Sequence, residues 1–118
     1  MILIVDDSVI IIERLLDMLS EFESKSSIKH VSSLGDAIAF LQHTTPHIVL
    51  LDINLTDGNG VELLRLIKKK YPSIIVIMLT NQSDEYYRKL CTKLGASHFL
   101  DKSKDFEKVA DIIATLKK

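Results

Sequence analysis

The sequence predicts an α/β domain with a five-stranded parallel sheet and helices on both faces, a doubly wound arrangement. Three observations predict it. Ile2–Val5, Ile48–Leu51, Ile74–Leu79 and the weaker Ser97–Leu100 are short runs, apolar on both faces, and Ile28–Val31 is a poorer fifth candidate. Runs of this kind suit strands buried on both faces, and such strands pair in parallel. Stretches with helical spacing separate the runs, and right-handed crossovers then put helices on both sides of the sheet.

The first helical stretch is roughly Val9–Phe22, with Ile11, Leu15, Met18, Leu19 and Phe22 on one face. Val9, Ile12 and Leu16 make a second apolar stripe beside it, one that a soluble monomer has little reason to expose. Leu34–Leu41 follows, opened by Ser33 with Asp36 three residues on, which is capping-box spacing with Asp for the usual Glu. Asp57-Gly58-Asn59-Gly60 turns the chain into Val61–Lys69, and Pro72 stops that helix. Ser83, followed by Asp84 and Glu85, caps Asp84–Leu94, which Gly95 ends. Asp105–Leu116 closes the chain, with Phe106, Val109, Ile113 and Leu116 on one stripe.

A length of 118 residues fits one domain, 1–118, able to bury a core without disulfides. The composition is 47% apolar and 26% charged with net charge −1, which makes no electrostatic case for nucleic acid or an anionic membrane. The single cysteine, Cys91, excludes an internal disulfide or thiolate cluster and fits a reducing, cytoplasmic setting. No apolar run reaches the roughly 18 residues of a membrane span. Met1–Val5 runs straight into Asp6 without the basic start of a signal peptide.

Ligands of open parallel sheets bind beyond the carboxyl ends of the strands. The first strand ends in Asp6-Asp7, the third in Asp52 and the fourth in Thr80, and Lys102 follows the fifth. Three carboxylates cannot share a small volume at neutral pH without shifted pKa values or a cation. Oxygen ligands and waters suit Mg²⁺, with Lys102 offsetting part of the charge. A carboxylate there can take up a phosphoryl group as an aspartyl phosphate, its oxygens held by a hydroxyl and an ammonium. Each residue alone is as easily a helix cap, a strand former or a surface lysine. All five at one end of the sheet are not.

These residues carry a resemblance. Ile-Val-Asp6-Asp7-Ser8, Leu-Leu-Asp52-Ile-Asn-Leu, Asp57-Gly-Asn-Gly60, Met-Leu-Thr80 and Gly95-Ala96 leading to Phe99-Leu-Asp-Lys102 resemble, in order and spacing, the receiver domain of response regulators. The stand-alone chemotaxis type is the most similar. The resemblance implies a flavodoxin-like (βα)5 fold of strand order 2-1-3-4-5. It implies Asp52 as phosphoacceptor, and Mg²⁺ held by Asp7 and Asp52, by Asp6 through water and by the Asn54 backbone carbonyl. Thr80 and Lys102 bind phosphoryl oxygens, and Phe99 follows Thr80 as the switch aromatic. The output face is the fourth helix, fifth strand and fifth helix. The implied donor is a histidine kinase or histidine phosphotransfer protein, docking on Val9, Ile12 and Leu16. With no effector domain after the fifth helix, output is expected through a downstream protein partner, from a monomer or a phosphorylation-dependent dimer. Asn81 stands where Ala or Gly is usual and is expected to gate access to Asp52. Ser103 replaces the usual proline after Lys102, which puts a cis bond there in doubt. Thr56 also replaces a usual proline.

Rival functions fit less well. A phosphohydrolase with an aspartyl nucleophile wants a carboxylate two residues on, where Asn54 stands. A flavin binder would not place Asp6-Asp7 in its phosphate loop. An unphosphorylated interaction module has no use for the intact pocket. His30, His43, His47 and His98 share no metal-ligand spacing, and Lys68-Lys69-Lys70 suits the negative end of a helix dipole. Of the adjacent Tyr86 and Tyr87, one is expected to face outward.

Overall fold

The computed structural model describes residues 1–21 and 23–116. Strands β1 (Ile2–Val5), β2 (Ile28–Val31), β3 (Ile48–Leu51), β4 (Ile75–Thr80) and β5 (His98–Asp101) form one parallel sheet in the order β2-β1-β3-β4-β5. Every residue of β1 and β3 is buried, as strands covered on both faces must be. The edge strand β2 buries Ile28 and exposes Lys29 and His30, which is why its pattern was the poorest. A two-residue ladder pairs Asn54–Leu55 with Gly58–Asn59 beyond β3, a feature too short to leave a periodic signal.

Helices α1 (Val9–Leu19), α2 (Leu34–His43), α3 (Gly60–Lys70), α4 (Glu85–Lys93) and α5 (Lys108–Leu116) fill the crossovers. The alternate side chains of the sheet divide the interior in two. Leu3, Val5, Val49, Leu51, Val76, Met78 and Phe99 meet α2, α3 and α4. Ile2, Ile4, Ile48, Leu50, Ile77, Leu79 and Leu100 meet α1 and α5. Burying one such side chain contributes roughly 1.5–3 kcal/mol against the entropy of ordering the chain.

Cap chemistry fixes the helix starts. Ser8 Oγ accepts from Ile11 N, Ser33 Oγ from Asp36 N, and Asn59 Oδ1 from Val61 N. The cap of α4 is Asp84, which accepts from Tyr87 N, and Ser83 is engaged elsewhere. Gly95 ends α4 at φ +110°, where a Cβ would be strained. Asp57 reaches across the chain to the first turn of α2, accepting from Leu34 N at 2.7 Å and Gly35 N at 3.0 Å.

Helix α1 corrects the expected stripes. Ile12 packs in the core with Leu15 and Leu19, while Ile11, Leu16 and Met18 are half-buried around it. Of the expected docking stripe, only Val9 is fully exposed, at 67%, and its neighbour Ile10 stands out beside it at 70%. Ile12 is therefore not available for docking. Phe22 lies outside the described residues. In the last stripe, Phe106 precedes α5, which starts later than expected, and Leu116 is exposed at the helix end. No described helix is long and apolar enough to cross a membrane.

Candidate functional site

Asp6, Asp52, Thr80 and Lys102 are buried together at the carboxyl end of the sheet, with Asp7 exposed at the rim. Register places them. Val5 pairs with Leu51, so Asp6 and Asp52 leave neighbouring strands at one level, and Thr80 pairs with Asp101, one residue before Lys102. Lys102 Nζ lies 2.8 Å from Asp6 Oδ2 and 2.8 Å from Asp52 Oδ2. Asp6 Oδ1 accepts from Ser8 N at 2.8 Å, so α1 starts on the same carboxylate. Asp52 Oδ1 is buried with no hydrogen-bond partner among the described residues.

Gly60 allows this packing. Its N–H donates to the Ile53 carbonyl at 2.6 Å, and a Cβ there would overlap the Asp52 carbonyl oxygen. The loop after Asp52 is thereby pressed against the strand end that carries it.

Oxygens of Asp6, Asp7 and Asp52 lie within 4.8 Å of one another. Three carboxylates against one ammonium leave a formal −2. Burial raises the Asp6 pKa, and the Lys102 and Ser8 contacts only partly oppose that. Burial works to lower the Lys102 pKa, but hydrogen bonds to Asp52 and Asp6 outweigh it and the net direction is upward, so the ammonium stays charged. An unpaired buried carboxylate oxygen beside this excess charge is what a hard cation with oxygen ligands would satisfy, so the residues present fit one.

Thr80 is fully buried, and its Oγ1 accepts from Gln82 N at 3.0 Å. Asn54 is exposed, with its side-chain amide donating to Gln82 Oε1 at 3.3 Å, and Gln82 Nε2 donates to the α4 cap Asp84 at 3.1 Å. Asn81 is exposed and lines an open cleft of about 620 Å³ with Lys102, Ser103, Ile11 and Arg14. It does not cap α4. Phe99 is buried against α4, where the Arg88 guanidinium sits 5.0 Å over its ring and donates to its carbonyl at 3.1 Å. No peptide bond among the described residues is cis, so the bond before Ser103 is trans.

Sequence reasoning missed the roles of Gln82, Arg88 and Asp101, and it took Ser83 for the cap of α4. Each acts through a partner distant in the chain, and only the adjacency of β4 and β5 in the predicted sheet could have pointed to Ser83 and Asp101. Cys91 is buried in the core, and burial raises its thiol pKa, as a packing residue requires.

The family model of the response regulator receiver domain matches residues 2–114. The transcriptional regulatory protein DegU of Brevibacillus brevis is 30% identical over 115 residues, which cover 95% of this chain and 48% of DegU. The DNA-binding transcriptional activator EvgA of Escherichia coli K12 is 26% identical over 118 residues, 98% of this chain and 56% of EvgA. The chain thus spans about half the length of the curated relatives it matches. The BeF3-activated DrrB receiver domain superimposes with a TM-score of 0.86 at 26% identity, covering 99% of this chain and 97% of that one.

Proposed function

The chain belongs to the response regulator receiver domain family, and from that premise we propose that it is a phosphorylation-dependent switch with Asp52 as phosphoacceptor. Such domains catalyse their own phosphorylation and slow dephosphorylation and do not turn over exogenous substrates. The observation that carries the proposal is the Asp52 carboxylate, buried, with one oxygen fixed by Lys102 and the other unpaired.

In this reading one Asp52 carboxylate oxygen attacks phosphorus, the bond from phosphorus to the donor's leaving atom breaks, and the leaving group departs with the electron pair. Lys102 and the Thr80 hydroxyl take equatorial phosphoryl oxygens. Thr80 already accepts from Gln82, so its own hydrogen is available to donate. Asp7 and Asp52 would hold Mg²⁺ by side chains, Asp6 through water and Asn54 by its backbone carbonyl. When bound, the ion supplies charge that neutralises the transferring group. The donor is a histidine kinase or phosphotransfer protein that meets α1 at Val9 and Ile10, with Leu16 at the edge. Movement of Thr80 toward the phosphoryl group shifts Phe99 and the α4-β5-α5 face, where Tyr86 is 69% exposed, toward a protein partner.

The test is incubation with acetyl phosphate, with and without Mg²⁺, followed by intact mass. One hydroxylamine-labile phosphoryl group is expected with Mg²⁺ and none in Asp52→Asn. Equal labelling of wild type and Asp52→Asn would sink the assignment.

A further inference from the structure

We propose that Asp101 is the positioning residue that holds Lys102 in the acidic pocket, by clamping together the two loops that border it. Asp101 is the last residue of β5 and stands in register with Thr80. Its Oδ1 accepts from Ser103 N at 2.7 Å and from Lys104 N at 3.0 Å, closing a turn around Lys102. Its Oδ2 accepts from the Ser83 hydroxyl, in the loop that follows Thr80. Its backbone is tied as well: Asp101 N donates to Asp105 Oδ2 at 3.0 Å, and Asp105 N returns a bond to Asp101 O at 2.8 Å. The Ser83 hydroxyl and the Lys104 and Ser103 amides lower the Asp101 carboxyl pKa, so it is a full acceptor at neutral pH.

Lys102 needs such a support. Its ammonium sits at the end of a flexible four-carbon stem yet bridges two carboxylates at 2.8 Å each. The stem can aim only if its backbone is fixed, and the exposed Ser103 and Lys104 beside it offer no apolar anchor. Ser103 supplies the N–H that Asp101 takes up. A proline in that place has no N–H to give. The residue after Lys102 and the residue before it therefore act as a pair, replacing ring stiffness with hydrogen bonds. Ser83 extends the support to the Thr80 loop, so the two groups expected to contact phosphoryl oxygens share one carboxylate.

The kinetic arm of the test rests on Asp52 being the phosphoacceptor. With acetyl phosphate and Mg²⁺, Asp101→Ala should slow labelling by about tenfold, the rate equivalent of about 1.4 kcal/mol. Asp101→Asn keeps an oxygen for the Ser103 and Lys104 amides and should recover most of the rate. In a Lys102→Ala background, Asp101→Ala should add no further slowing, because it acts through that lysine. Wild-type labelling in Asp101→Ala, no recovery in Asp101→Asn, or undiminished slowing without Lys102 would each overturn the proposal. A second arm needs no phosphorylation: the Ser103 and Lys104 amides should exchange hydrogen faster in Asp101→Ala, and unchanged exchange rules the clamp out. A wild type that takes no label refutes the phosphoacceptor reading and leaves the clamp to be decided by exchange.

Discussion

At the amino end of the sheet, Ile2, Ile48 and Ile75 stand side by side in register, and the polar side-chain contacts there are the Met1 amine 3.1 Å from His47 Nδ1 and Lys68 Nζ 2.7 Å from the Ile74 carbonyl. At the carboxyl end the same strands release Asp6, Asp52 and Thr80, the neighbouring β5 releases Lys102, and these are the buried polar and charged side chains among the described residues. The amino end is packed by apolar side chains with no buried charge among the described residues. The other keeps two carboxylates and an ammonium out of water, an arrangement that a hydrophobic replacement of equal volume would often match or exceed in stability. The difference teaches where the domain spends stability for chemistry: the apolar body supplies the surplus that the acidic end draws on.

The comparison is broken most severely by Lys102→Ala. It leaves Asp6 and Asp52 buried without their counter-charge and should cost about 3–5 kcal/mol in denaturant unfolding. It should also slow labelling by acetyl phosphate, and Mg²⁺ should restore more stability to this variant than to wild type, by the linkage of ion binding to folding. Equal Mg²⁺ stabilisation of the two proteins would mean that ion and ammonium do not share the same carboxylates. The Lys102 pKa is raised in the fold, so its contribution is complete below the ordinary lysine value and disappears as pH rises through the folded one.

Ile48→Ala at the amino end should cost about 2–5 kcal/mol of stability. It should leave the labelling rate of the folded protein unchanged, and a slower rate would show that the two ends are coupled. Asn81→Ala enlarges the mouth of the cleft and should speed both acetyl phosphate labelling and spontaneous loss of the phosphoryl group, by about two- to fivefold, on the scale of a partly hindered in-line approach. Unchanged decay would remove the gate. The smallest effect concerns Asp57. The Gly35 and Leu34 amides hold its carboxyl below the usual range, so its stabilising contribution is present above the ordinary aspartate pKa and is lost as pH falls through the folded value. Asp57→Asn should flatten the acid limb of the stability curve, measured by thermal unfolding between neutral pH and pH 2, by lowering the neutral value slightly while leaving the acid value nearly unchanged.

The strands and the acidic end were legible in the sequence for the same reason. Runs apolar on both faces mark buried parallel strands, and whatever polar group ends such a run must sit at the sheet's edge. Helix phase was not legible in α1, because Val9, Ile10, Ile11 and Ile12 are consecutive apolar residues with no polar member to mark the outer face. Only packing on the sheet chose Ile12 over Ile11. The cap of α4 was misplaced by one residue because Ser83 and Asp84 are both competent caps, and the choice was made by Asp101 on another strand. The hold of Arg88 on Phe99 likewise depends on how α4 lies across β5, and no local pattern encodes that.

The cap that Asp57 places on α2 makes two backbone amides into remote reporters. Leu34 and Gly35 precede Asp57 by 23 and 22 residues, on a helix that contributes neither to the acidic pocket nor to the expected output face. Their chemical shifts nevertheless depend on where the loop after Asp52 puts that carboxylate. A titration followed at these two resonances would read the order of the loop without a label on it and without altering any residue of the pocket.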